Sequence, residues 1–406
     1  MKKILALATV LSLWLAVSPA AWGATATALS TQFADTGQPA WGAPVMQRMI
    51  QTGIVQGYQG TGANSSTYYA YPNHPVTRAE FAVLLARSLN LPDSSATPPL
   101  ADWSSVPSWA QPKVATLFSQ QVVQGQPGPG GQMYFAAADY ITRAELVAML
   151  ERALSENGGN PSGTSGSTSA NTPNGSSSPG TAPPASGNGA AASAAGANSG
   201  SSPFADVTPG DWYYDYVLAA YHAGIVQGLA PNYFGPSGDA TRVQVMAMLW
   251  RSLTADQTDL PADSDLVSPV QTVNNLAVDV LQGQDKSQLA PYLTGEAALE
   301  LSTGNFFVLE STSLNNLSQV QISYPAGAPR VVARSRYLAT VETTVNLNLS
   351  FSGGATGSGN YQAVEYYHLI RDGGQWLVYA VDTYSVSIDG GPPAMTGQTV
   401  DAGGGF

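Results

Sequence analysis

One unit written three times constrains this chain more than any other feature. Phe33-Ala34-Asp35, Leu100-Ala101-Asp102 and Phe204-Ala205-Asp206 each lead, six or seven residues past the aspartate, to a tryptophan: Trp41, Trp109 and Trp212. The steps Val55-Gln56-Gly57, Val123-Gln124-Gly125 and Val226-Gln227-Gly228 follow. Then come Thr77-Arg78-Ala79-Glu80, Thr142-Arg143-Ala144-Glu145 and Thr241-Arg242-Val243-Gln244, with a second arginine nine residues further on at Arg87, Arg152 and Arg251. A unit this short buries too little apolar surface to stand alone, so the copies are expected to share a core.

Each copy reads as helix, loop, helix. The first helix starts near the tryptophan and stops before Ile54, Val122 or Ile225, with Val114, Leu117 and Phe118 at amphipathic spacing. The Val-Gln-Gly step is expected to end it, its glycine supplying a C-terminal cap or turn. The second helix carries one apolar face: Phe81, Leu84, Leu85 and Leu89, matched by Leu146, Met149 and Leu150 and by Val245, Met248 and Leu249.

These motifs resemble the S-layer homology domain family: its aromatic-x-Asp start, its tryptophan, its Gly-Ile-Val-x-Gly step and its Thr-Arg-Ala-Glu helix start. The resemblance implies an all-α pseudo-threefold bundle whose inter-repeat grooves hold a secondary cell-wall polysaccharide, often bearing ketal-linked pyruvate. Two departures stand out, Leu100 in place of an aromatic and Gln244 in place of glutamate.

Thr-Arg-Ala-Glu also reads as a capping box, the threonine hydroxyl accepting an amide of the first turn and the acid reaching back. Gln244 can play the same part. The box leaves the arginine unexplained, because a first-turn cation faces the positive end of the helix dipole. Arg78, Arg143 and Arg242 are therefore expected to meet an anion. First-turn amides plus a guanidinium fork suit a carboxylate or phosphate of the polymer; the alternative is an acid on the neighbouring repeat. As ligand contacts they would do little for the fold.

Trp41, Trp109 and Trp212 read either as stacking platforms for a sugar or as core anchors. Asp35, Asp102 and Asp206 read as turn or cap aspartates, with ligand contact as the alternative. Gly57, Gly125 and Gly228 read as conformational, though a bare backbone also lets a ligand approach. Arg87, Arg152 and Arg251 sit near helix C-termini, where the dipole favours them. The polysaccharide-binding set expected from this pattern is the three first-turn arginines with these tryptophans, aspartates and glycines.

The N-terminus has Lys2 and Lys3, an apolar run from Ile4 to Val17 and small residues to Ala26, the order of a secretory signal peptide over 1–26. No later stretch has the ~20 apolar residues of a membrane helix, so no membrane span is expected in the mature chain. Cysteine is absent, which removes disulfides, thiolate metal sites and a cysteine nucleophile. With 15 basic against 27 acidic residues, the chain lacks the basic footprint that nucleic acid requires. No cofactor or metal motif is found.

The organisation expected is a signal peptide (1–26), repeats at 31–91, 99–156 and 203–256, a flexible Gly/Ser/Ala/Pro-rich linker at 157–202, a C-terminal domain at 265–389 and a disordered tail at 390–406. In the C-terminal domain, helices at 269–281 and, broken, at 289–301 precede strand-like runs at 318–324, 331–351, 363–371 and 376–388. Helices first and an antiparallel sheet after them mean an α+β domain. The order weakly resembles the nuclear-transport-factor-2-like cone. A symmetric turn at Asp372-Gly373-Gly374-Gln375 would set Glu365 against Asp382 and His368 against Tyr379; the two carboxylates then either both project into solvent or, as a buried pair, share a proton.

A secreted, non-catalytic surface protein held on the wall polysaccharide of a bacterial cell by its repeats is the function this pattern favours. A wall-anchored enzyme or ligand-binding protein with its site in the C-terminal domain, and a small S-layer subunit, are the alternatives.

Overall fold

The computed structural model describes residues 33–37, 39–61, 67–157, 201–281, 284–303, 317–323, 329–351, 357–388 and 394–395. The expected signal peptide, nearly all of the expected linker and the expected tail beyond 395 lie outside these residues. The described chain forms two compact units: one holds residues up to Pro72 together with those from Asp256 onward, the other Asn73–Ala255.

The helix-loop-helix pattern is present in all three copies. The first helices are α1 (Ala43–Gln51), α3 (Gln111–Ser119) and α5 (Tyr214–His222); the second helices are α2 (Arg78–Ser88), α4 (Arg143–Asn157) and α6 (Arg242–Ala255). Pro44 and Pro112 open α1 and α3, where the missing amide costs nothing. The expected C-cap needs correction. The residue that takes the left-handed conformation after the first helix is Gly53, Gln121 or Gly224, four residues ahead of the expected glycine. The intervening loop, read as irregular, carries a short hairpin in two copies, β1 (Tyr58–Gln59) with β2 (Tyr68–Tyr69) and β3 (Gln126–Pro127) with β4 (Met133–Tyr134). The third copy has only a single bridge, Ala230 to Tyr233.

In the 73–255 unit a closed cycle of backbone bonds ties the copies together. Val76 N–H donates to the Ala240 carbonyl (3.0 Å), Ala240 N–H to Ile141 (2.9 Å) and Ile141 N–H to Val76 (2.9 Å). Three apolar residues, one from each copy and each just ahead of its Thr-Arg motif, thus meet about a threefold arrangement within one chain. Phe81, Leu85, Leu146 and Leu150, on the faces that periodicity predicts, are fully buried in this unit, as are Ile141 and Met246.

The other unit combines α1 and its hairpin with the C-terminal domain. Helix α7 (Asp263–Leu281) begins before Pro269 and runs through it; Asp263 and Asp265 favour its positive end. The expected broken helix is a 3-10 segment (Lys286–Tyr292) followed by α8 (Gly295–Thr303). The sheet is antiparallel, ordered β10-β9-β8-β7-β5 with β6 also on β7: β5 (Leu317–Ser323), β6 (Arg330–Arg334), β7 (Leu338–Phe351), β8 (Gly357–Asp372), β9 (Gln375–Ile388) and β10 (Ala394–Met395). The single run expected at 331–351 is two strands. Leu266, Val270 and Val273 of α7 pack with Ala297 and Leu301 of α8 on Val341, Leu369, Trp376 and Val378. Helix α1 packs on α8 so closely that a Cβ on Gly295 would meet the Gln51 carbonyl oxygen at 2.1 Å.

Candidate functional site

Two capping boxes form as expected, and one bond of the third is present. In α2 the Glu80 amide donates to Thr77 Oγ1 (3.2 Å) and Thr77 N–H donates to Glu80 Oε2 (2.9 Å). Thr142 with Glu145 repeats this at 3.0 and 3.3 Å, and Thr241 N–H donates to Gln244 Oε1 (3.2 Å).

The arginines between them, expected to meet an anion, lie buried. Arg78, Arg143 and Arg242 are only 5%, 2% and 5% exposed. Their backbone amides are already taken by loop carbonyls, Arg78 by Asp139, Arg143 by Gly238 and Arg242 by His74, each at 2.9 Å. Arg78 Nε donates to the Phe135 carbonyl (2.8 Å) and its Nη1 pairs with Glu145 (2.9 Å), the acid of the next repeat. Arg143 Nε donates to Phe234 (2.9 Å) and its Nη2 to Gln227 (3.1 Å), with the guanidinium 4.6 Å from the Phe234 ring centre. Burial lowers the Arg143 pKa to about 10. The anion that offsets the helix dipole is thus, at Arg78, a neighbouring side chain; at Arg143, carbonyl oxygens do the work. The side chains of Arg78 and Arg143 hold neighbouring copies together, so the expectation that they do little for the fold is corrected for these two.

The aspartates play one repeated part. The carboxylate of Asp35 accepts the amides of Ala70 and Tyr71, that of Asp102 those of Phe135 and Ala136, and that of Asp206 those of Phe234 and Gly235, all at 2.7–2.8 Å. The second residue of each pair is left-handed, at φ 49°, 56° and 73°. At Tyr71 and Ala136 the acid therefore compensates a strained residue, while Gly235 takes the same conformation without strain. Gly57 and Gly228 are needed for close approach: a Cβ would meet the Phe33 ring at 2.2 Å and the Ala230 and Tyr233 carbonyls at 2.7 Å. Gly125 has φ +79°, and Leu100, buried like Phe33 and Phe204, fills the aromatic's place beside it.

Trp41 and Trp109 are 57% and 56% exposed, which makes them surface rings rather than core anchors; Trp212 is half-buried. A shallow surface groove in the 73–255 unit gathers Arg78 from repeat one, Val122 to Gln126 with Glu145, Met149 and Arg152 from repeat two, and Trp212 from repeat three. One arginine, one glycine and one tryptophan of the expected set, each from a different copy, share this groove. Sequence reasoning missed Glu145, whose Oε1 bonds both Arg78 and Gln126, and Arg152.

The C-terminal domain holds a second polar line. The expected pairing of Glu365 with Asp382 and His368 with Tyr379 is corrected: a bulge between His368 and Leu369 shifts the register, so Glu365 faces Thr383, Tyr366 faces Asp382 and His368 faces Ala380. The carboxylates do not share a proton. Glu365 Oε2 accepts from the Tyr367 hydroxyl (2.8 Å), and burial raises its pKa. Asp382 bonds His368 Nε2 (3.0 Å) and Arg48 of α1 (3.1 Å), while His368 Nδ1 meets Thr340 Oγ1 (3.2 Å). Burial would raise the Asp382 pKa, but His368 and Arg48 outweigh it and hold it well below the usual carboxylate range. Among the described residues no group of three His, Asp or Glu is placed to hold a metal ion, and no helix is long and apolar enough to cross a membrane.

Residues 32–82, 99–147 and 203–246 match the model of the S-layer homology domain. The chain is 30% identical over 121 residues to an endoglucanase of Bacillus sp. (strain KSM-635), covering 30% of this chain and 11% of that protein. It is 25% identical over 211 residues to an amylopullulanase of Thermoanaerobacterium thermosulfurigenes, covering 52% of this chain and 9% of that one. The chain spans about a tenth of the length of these curated relatives. Three S-layer homology repeats indicate anchoring at the cell surface.

Proposed function

We propose that this is a non-catalytic bacterial cell-surface protein whose three repeats hold it, without a covalent bond, on an acidic or pyruvylated secondary wall polysaccharide. The observation that carries this reading is the groove in which Arg78, Gly125 and Trp212 meet, one motif position from each repeat. Exposed Trp41 and Trp109 offer further rings for sugar faces. In this reading the C-terminal domain is a cone of the nuclear-transport-factor-2-like kind, supported by the order of helices before an antiparallel sheet. The test is sedimentation of the full chain with purified wall sacculi, intact or stripped of their polysaccharide. Binding to intact sacculi alone is expected; equal binding to stripped sacculi would overturn the reading.

A second reading, a wall-anchored enzyme, draws on the Thr340–His368–Asp382 line and on the two relatives, which are enzymes by name. Against it, both ring nitrogens of His368 are engaged and its acid is tied to Arg48. Turnover in a panel of glycan and ester substrates that is lost in His368→Gln would replace the first reading's silent C-terminal domain with an active one.

A further inference from the structure

We infer that the C-terminal domain binds a primary ammonium group beneath α7, with Glu365 as its counter-ion and Thr343 and Asn274 as its other hydrogen-bond acceptors. The inference concerns a part of the molecule to which the anchoring reading gives no task, and it is tested without wall material.

Asn274 of α7 with Thr343, Glu365 and Tyr367 of the sheet forms a polar island in an apolar layer. Thr343 and Glu365 are directly opposed across β7 and β8, so they project to one face with Cβ atoms about 5 Å apart. Tyr367 lies two residues past Glu365 on that face. Its hydroxyl stands 2.7 Å from Asn274 Oδ1 and 2.8 Å from Glu365 Oε2. Val270, one turn before Asn274, and Val341 and Val345, two residues to either side of Thr343, are at most 2% exposed. The island is short of partners. Asn274 is 5% and Thr343 0% exposed, yet Asn274 Nδ2 and Thr343 Oγ1 have no hydrogen-bond partner among the described residues. Native interiors seldom leave two such groups unpaired side by side. The tyrosine hydroxyl also has a single hydrogen and cannot give it to two acceptors. Turning the Asn274 amide end for end resolves this: Nδ2 donates to the tyrosine, the tyrosine donates to Glu365, and Oδ1 takes the unpaired place. The acceptors left over are Asn274 Oδ1, Thr343 Oγ1 and the second oxygen of Glu365, and a primary ammonium has three N–H donors and no acceptor. Charge points the same way. Glu365 is half-buried and among the described residues has no ion-pair partner; burial raises its pKa, a penalty that a bound cation relieves.

The test is equilibrium dialysis of the full chain against n-butylammonium, n-butanol and butyrate, probes of similar shape and different charge. Butylammonium is expected to bind saturably, at least tenfold more tightly than butanol, and butyrate not to bind. Glu365→Gln is expected to weaken butylammonium roughly ten- to a hundredfold and to leave butanol unchanged. Thr343→Val, which keeps the shape and loses the hydroxyl, is expected to weaken it roughly three- to tenfold without lowering the melting temperature, and it serves alone should Glu365→Gln fail to fold. No saturable binding of butylammonium, butanol bound as tightly as the amine, or wild-type affinity for the amine in Thr343→Val or in folded Glu365→Gln would overturn the inference. None of these outcomes bears on the anchoring reading, whose own test is sedimentation with sacculi.

Discussion

Two arginines, one buried and one half-buried, meet carboxylates in this protein in contrasting ways. In the repeat unit, Arg78 reaches Glu145, and both belong to a motif written three times. In the C-terminal unit, Arg48 of α1 reaches Asp382, a residue 334 positions away, and nothing repeats it. The residues at the place of Arg48 in the other copies, five before the left-handed turn residue, are Thr116 and Ala219. A contact that recurs in a sequence announces itself as structure. One made once, by the copy that departs from its siblings, marks a task the siblings do not share, here the docking of α1 on α8 and β9.

The contrast can be broken by mutation. Arg78→Ala leaves Glu145 without its cation in the repeat interior and removes the bond to Phe135, which should cost about 3–5 kcal/mol. Chemical denaturation of the full chain checks this, and a change under about 1 kcal/mol would mean that the pair is dispensable. Arg48→Met should cost less, about 1–3 kcal/mol, because the pair retains 24% and 12% side-chain exposure. Its signature is pH dependence. The folded-state pKa of Asp382 lies below its unfolded value, so its contribution is present above the ordinary aspartate range and lost as pH falls through and below it. Wild type and Asp382→Asn should therefore differ near pH 7 and converge in acid, as read by hydrogen exchange in β9. The smallest effect belongs to the exposed rings. Trp109→Ala should shift stability by no more than about 0.5 kcal/mol while weakening sedimentation with sacculi, and a melting change without a binding change would make it a packing residue.

Much of the repeat architecture was legible because local chemistry and tertiary role agree there. Thr77 and Glu80 predict a capped helix, and Phe81, Leu84, Leu85 and Leu89 are buried as their spacing predicts, with Ala79, Ala82, Val83 and Ala86 buried beside them. The part that the first-turn arginines play in the fold was missed for a definite reason. A sequence shows that α2, α4 and α6 begin at Thr-Arg, but not that the loop carbonyls of Asp139, Gly238 and His74 cover those beginnings. Arg152 was hidden by the opposite error: its place near a helix end supplied a sufficient local explanation, and only the neighbouring Tyr216 shows that it faces a groove. In the C-terminal domain, strand existence was readable from β-branched runs, while register was not. One extra residue at Tyr379 moves Asp382 off Glu365 and onto the neighbourhood of His368.

The close approach of Gly295 to the Gln51 carbonyl bears on any attempt to borrow the anchor for displaying foreign cargo. A cut after the third repeat, the boundary that the repeat pattern suggests, would strip α1 of α8, opening its end to water and leaving Arg48 without Asp382. A graft that keeps residues through β9 and attaches its passenger beyond Ile388 would preserve that joint, so the natural exchange point lies at the far end of the sheet rather than between repeat and sheet.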